Sequence, residues 1–185
     1  RVDVYYNKGR CFRISMDASI YGMGAVIFVD GVPLEFFAIP ISRHDEEYLQ
    51  MKSGDNDGQQ IWEALVLLIA IKQWRRLWAN QRVTLQLESD NLAALTLASQ
   101  LKAQGARRKI AKELALVYAQ SVFEPDVVSH IPGVMNITPD SLSRRYQHEH
   151  WTPPSSLRGV PEVVPTPRTT SWWRTASPPS WATST

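Results

Sequence analysis

A single cysteine, Cys11, stands in 185 residues. That excludes an internal disulfide framework and any zinc site built on several thiolates, and makes a reducing compartment the natural expectation. Long hydrophobic runs are missing too. The longest, Ala64–Ile71, is far too short to span a bilayer, so no membrane partner is expected. No secretory leader is visible, and the chain starts at Arg1. The expectation is a fragment or processed piece of a longer intracellular protein, cytoplasmic or nuclear. Charge of one sign is scarce as well. A formal charge of +2 does not by itself argue for a nucleic-acid partner, so the distribution of charge matters more.

What is present suits one domain with extra segments. Hydrophobic residues make up 44% of the chain, enough for a full core over the first ~150 residues. Composition shifts near Tyr146–Trp151. Of 12 prolines, Pro153, Pro154, Pro161, Pro165, Pro167, Pro178 and Pro179 lie beyond it, with Trp151, Trp172, Trp173 and Trp181 among Ser and Thr. Such a segment has no periodic apolar face, and 148–185 is expected to be a disordered tail or linker. Residues 1–9 read as an N-terminal extension, leaving a folded domain over 10–147.

Within that domain, Cys11–Ala18 alternates, with Phe12, Ile14 and Met16 on one face and Arg13, Ser15 and Asp17 on the other. Gly22–Phe28 and Val32–Ile39 predict two further strands joined by the turn signal Asp30-Gly31. Arg43–Gly58 reads as a loop. Gln59–Trp78 predicts a helix that is apolar almost all round from Ala64 to Ile71, and so buried on two sides. Trp74 and Trp78, four residues apart on it, are expected in the core or at a domain interface. Then come a strand at Arg82–Glu88, helices at Leu92–Leu101 and Arg107–Val122, a strand at Val127–Ile131 and a short helix at Pro139–Tyr146. Three hairpin strands followed by two further strands among helices predict an α/β fold: a five-stranded mixed sheet flanked by helices.

Four acids sit at the ends of these elements: Asp17, Glu63, Asp90 and Asp140. Carboxylates gathered from several elements repel one another unless divalent cations neutralise them. Glu63 shares a helical stripe with Leu67 and Ala70 and therefore faces the protein, where an acid needs a metal or a hydrogen-bond network. Each acid also has an ordinary alternative. Asp90 suits a helix N-cap. Glu63 and Asp140 suit first turns favoured by the helix dipole, and Asp17 suits a turn before Tyr21-Gly22. Those alternatives do not jointly explain four acids at four element ends.

Asp17-Ala18-Ser19 followed by Gly22-Met23-Gly24-Ala25-Val26 resembles the first strand and hairpin of retroelement ribonuclease H domains. Gln60-Ile61-Trp62-Glu63-Ala64-Leu65 is similar to that family's catalytic-glutamate helix, and Ser89-Asp90-Asn91 to its fourth-strand aspartate. The segment from His130-Ile131-Pro132-Gly133 through Asn136 to Asp140-Ser141-Leu142-Ser143-Arg144 resembles its closing signature, in retrotransposon reverse transcriptases of LTR or DIRS-like type. The resemblance covers about residues 10–147; Thr138-Pro139 before Asp140 departs from it, and Gln100–Lys112 is hard to align.

The resemblance implies an RNase H-like fold and an endonuclease that cleaves the RNA strand of RNA:DNA hybrids. It implies two Mg²⁺ ions, replaceable by Mn²⁺, roughly 4 Å apart. Asp17 would bridge both, Glu63 and Asp90 hold the ion on the leaving-group side, and Asp140 the ion that activates water. The products would carry 5′-phosphate and 3′-hydroxyl ends. His130 would assist proton handling or product release, with a strand-end histidine bonded to backbone as the alternative. Asn136 would position backbone or substrate, or simply form a turn. Ser19 and Asn91, beside catalytic acids, are expected hybrid contacts. Lys102, Arg107, Arg108, Lys109 and Lys112 would track phosphates or form a solvated helix face. A polymerase domain of the same polyprotein is the implied protein partner. A silent structural or hybrid-tethering module, or another superfamily nuclease such as an integrase, remains open.

Overall fold

The computed structural model describes residues 10–78, 83–120, 127–130, 132, 135–147 and 149–174, without the side chains of 57 and 127–130. The expected extension 1–9 lies outside the described residues. Strands form at Arg10–Ala18 (β1), Gly22–Val29 (β2), Val32–Pro40 (β3), Val83–Ser89 (β4) and Val127–His130 (β5). Helices form at Arg43–Leu49 (α1), Gln59–Trp74 (α2), Leu92–Gln100 (α3), Arg107–Ala119 (α4) and Ile137–Ser143 (α5). The strands make one mixed sheet in the order β3-β2-β1-β4-β5. β1 to β3 pair antiparallel, β1 with β4 and β4 with the short β5 parallel.

Local chemistry accounts for the hairpins. Asp30 and Gly31 both take positive φ, as a two-residue turn matching strand twist requires. The sheet then has two covered faces. On one, Phe12, Ile14, Met16, Ala25, Ile27 and Phe37 pack against α2, which is buried at every position from Ile61 to Ile71. Trp74 and Trp78 are both fully buried there, Trp74 against Phe37 and Trp78 edge-on to Phe12. On the other face, Val26, Phe36 and Ala38 pack with Leu142 of α5 and with Leu157. β1 is therefore covered on both sides, which is why Ser15 and Asp17 are buried along with Ile14, Met16 and Ala18.

Two expectations need correction. Arg43–Gly58 is not all loop: its first half is α1, closed by a capping box in which Ser42 and Asp45 bond each other's backbone N–H. The expected disordered tail is not disordered over its described part. Residues 149–174 form a strap that crosses the second face, pairs with edge strand β3 and continues onto the first face. Phe36 donates its N–H to Pro161 O at 3.1 Å, and Val163 donates to Phe36 O at 2.8 Å. Arg168 makes two 2.7 Å bonds to the fully buried Asp45, and the buried Trp173 stacks on Tyr48. The cause is tertiary: isolated anchors fill separate grooves, with no periodic face required.

α5 reaches β2 through two glycines. A Cβ at Gly24 would lie 2.3 Å from Leu142 Cβ and 2.8 Å from Ser143 N, and one at Gly22 2.5 Å from Ser143 O. Gly24→Ala is expected to lower stability by about 1–3 kcal/mol, the usual penalty of overpacking. Denaturant melts read this, and a loss under about 0.5 kcal/mol would contradict the close approach.

Candidate active site

Asp17 ends the central strand β1, Glu63 lies in the second turn of α2, and Asp90 follows β4. One carboxylate oxygen from each lies within 4.8 Å of the others. With Asp140 and Arg144 they line an open cleft of about 340 Å³ that also takes in Ser19, Gln59 and Gln147. Asp140 stands at the rim: its Oδ1 accepts from Arg144 Nε at 2.7 Å, and it is outside the close group of three.

The electrostatics are those of acids crowded without neutralisation. Burial pushes the Asp17 carboxyl from 3.8 to about 7; a hydrogen bond from Ser143 opposes the rise, and the charges of Asp90 and Asp140 add to it. Glu63 is held well above its ordinary value, first by burial and then by the charges of Asp17 and Asp90. Its Oε1 accepts from Gln59 Nε2 at 3.0 Å, whereas its buried Oε2 has no hydrogen-bond partner among the described residues. A buried, unpartnered carboxylate oxygen within reach of two more acids suits a divalent cation with a preference for oxygen ligands.

The other candidates fall out differently. Asn91, not Asp90, caps α3: its Oδ1 accepts from Ala94 N at 3.0 Å, which leaves the capping alternative for Asp90 without support. Asn91 thereby gives its Oδ1 to the start of the helix. Ser19 is buried and its hydroxyl donates to Ser143 O at 2.8 Å while accepting from the Gly22 N–H, so it ties the β1–β2 turn to α5. Asn136 is also buried, and its Nδ2 donates to Met16 O at 3.3 Å; it anchors the start of α5 to β1 and does not line the cleft. His130 is placed by its backbone, opposite Ser89 in the parallel β4–β5 pair, and its side chain lies outside the described residues.

Lys102, Arg107, Arg108 and Lys112 line a surface groove of about 610 Å³ between the end of α3 and α4. Lys109 leaves that group. It donates to Tyr48 O and lies over the Tyr48 ring, fastening α4 to α1. Ser143, Gln59 and Arg144, which hold the acids, carry no role in the sequence-based expectations. The signals were available: Gln59 is four residues before Glu63 on one helix, and Arg144 four after Asp140.

Among the described residues no helix is long and apolar enough to cross a membrane. No protein-family model matches the chain. No curated protein matches it either. Among solved structures, it is similar to LC11-RNase H1, isolated from compost by a metagenomic approach. The TM-score is 0.54 at 14% identity, covering 74% of this chain and 93% of that one. The fold is thus RNase H-like.

Proposed function

We propose that this chain is the ribonuclease H domain of a retroelement reverse transcriptase, hydrolysing the RNA strand of RNA:DNA hybrids with two divalent metal ions. One observation carries the reading. Asp17, Glu63 and Asp90, drawn from two strand ends and a buried helix, bring carboxylate oxygens within 4.8 Å of one another at an open cleft. Asp140 at its rim stands in the sequence context of the resemblance. The similar solved structure, an RNase H1 by name, points the same way.

In this reading Asp17, Glu63, Asp90 and Asp140 hold Mg²⁺ or Mn²⁺. Held there, such ions would supply charge neutralisation at the scissile phosphate and a lowered pKa for the attacking water. Gln59 orients Glu63 by its 3.0 Å bond, and Arg144 steadies Asp140 at the rim. His130, at the end of β5 beside Ser89 of β4, serves proton handling or product release. Lys102, Arg107, Arg108 and Lys112 contact the phosphates of the hybrid along their groove. The retroelement setting, with a polymerase domain of the same polyprotein as neighbour, rests on the run from His130 to Arg144.

The test offers the purified chain a labelled hybrid, single-stranded RNA, duplex RNA and duplex DNA, with Mg²⁺, Mn²⁺ or EDTA. Cleavage of RNA in the hybrid alone, abolished by EDTA, is expected. Cutting of duplex DNA would overturn the assignment. Metal binding with no cleavage of any substrate would favour a silent hybrid-tethering module.

A further inference from the structure

We infer that Ser143 is a positioning residue for the metal site: its hydroxyl fixes the orientation of the Asp17 carboxylate and so presets the affinity for divalent cations. The inference rests on the metal-site reading above. Ser143 is fully buried on the last turn of α5, and its Oγ lies 2.5 Å from Asp17 Oδ2. The same Oγ lies 2.9 Å from Asp140 O, one turn back on its own helix. A hydroxyl has one proton, so it serves one acceptor at a time, and the bond to a charged oxygen is the stronger. With Oδ2 held, the Asp17 carboxylate cannot turn about its Cβ–Cγ bond without losing that donor. No bulk water reaches the buried hydroxyl to replace it.

The backbone of Ser143 is held without help from its side chain. Its carbonyl accepts from the Ser19 hydroxyl at 2.8 Å, and its N and O lie close over Gly24 and Gly22. Removing the hydroxyl therefore leaves α5 seated and takes away only the orienting bond. The same seat brings Asp140 to the cleft, so one helix position serves two of the acids. Partners of this kind behind metal ligands commonly change affinity 10- to 100-fold.

Mn²⁺ titration by calorimetry or electron paramagnetic resonance, on the full chain, tests this. Ser143→Ala is expected to raise the Mn²⁺ Kd by about tenfold or more. Hybrid cleavage, where present, should return toward the parent rate at excess Mg²⁺, because every ligand is still there. Tyr146→Phe is the control. It removes the hydroxyl that donates to Ala38 O at 3.1 Å just beyond α5 but leaves the Asp17 bond, so it should lower the melting temperature with little change in Mn²⁺ affinity. A parent that binds Mn²⁺ with a Ser143→Ala variant matching it would overturn the inference, as would equal weakening by both variants. Failure of the parent to bind Mn²⁺ would overturn the metal-site reading itself, and this inference with it. A parent that binds Mn²⁺ and cleaves nothing would sink the nuclease assignment and leave the role of Ser143 standing.

Discussion

Asp17→Asn should abolish hybrid cleavage, by on the order of 10³-fold or more, while making the metal-free protein more stable near neutral pH. The two effects have one cause. Asp17 is 5% exposed and faces Glu63 and Asp90. Its carboxyl titrates near 3.8 when unfolded and at about 7 in the fold. The folded state therefore prefers the protonated form. The stabilising contribution is complete below about pH 4 and is lost as pH rises through about 7. A shift of that size corresponds to a penalty on the order of 4 kcal/mol above pH 7. Glu63, raised in the same direction, adds to the slope.

In EDTA the melting temperature of the parent should thus fall between pH 4 and 8 relative to Asp17→Asn, a contribution read directly by thermal melts at a series of pH values. Divalent cations should restore the parent at high pH, since ligands must be deprotonated to bind, and restore the variant far less. A variant that melts below the parent at pH 8 in EDTA would contradict the clustered-acid picture.

The second large effect belongs to the strap. Arg168→Met is expected to cost about 3–5 kcal/mol, because it leaves the Asp45 carboxylate buried without its cation. Asp45 is completely buried and receives both Arg168 bonds at 2.7 Å, while its Oδ2 also accepts from Ser42 N. For a domain of this size the loss corresponds to roughly 10 °C in melting temperature. The double variant with Asp45→Asn should recover part of it, since no buried charge remains. Truncation after residue 147 should go further. It removes Leu157 from the cluster with Val26, Phe36 and Ala38, removes Trp173 from Tyr48, and bares edge strand β3. A truncated chain that melts like the parent would show that the strap adds nothing to the fold. The unit proposed to fold therefore runs from residue 10 to at least 174.

Glu63 was legible because helical periodicity puts it on the stripe of Leu67 and Ala70, and the structure buries it at 3% exposure. The turn at Asp30-Gly31 was legible because few residue pairs accept two positive φ angles. α1 was missed because its seven residues carry a mostly polar sequence. Its start signal, Ser42 with an acid three residues on, uses Asp45 where Glu or Gln is usual. The strap was missed for another reason. Leu157, Arg168 and Trp173 are irregularly spaced anchors, and only the grooves they enter give them meaning.

By itself, then, the sequence determined the order of strands and helices apart from α1, the four acids at their ends and the inward-facing glutamate. These follow from period, turn chemistry and spacing, all local properties of the chain. Tertiary structure alone decided which polar neighbours are occupied. Ser19, Asn136 and Lys109 hold backbone and helices, while Ser143 holds Asp17. A hydrogen bond depends on where two groups meet across 41 to 126 residues of chain, as Gln59 does with Ala18 and Ser143 with Asp17, and no local pattern records such a meeting.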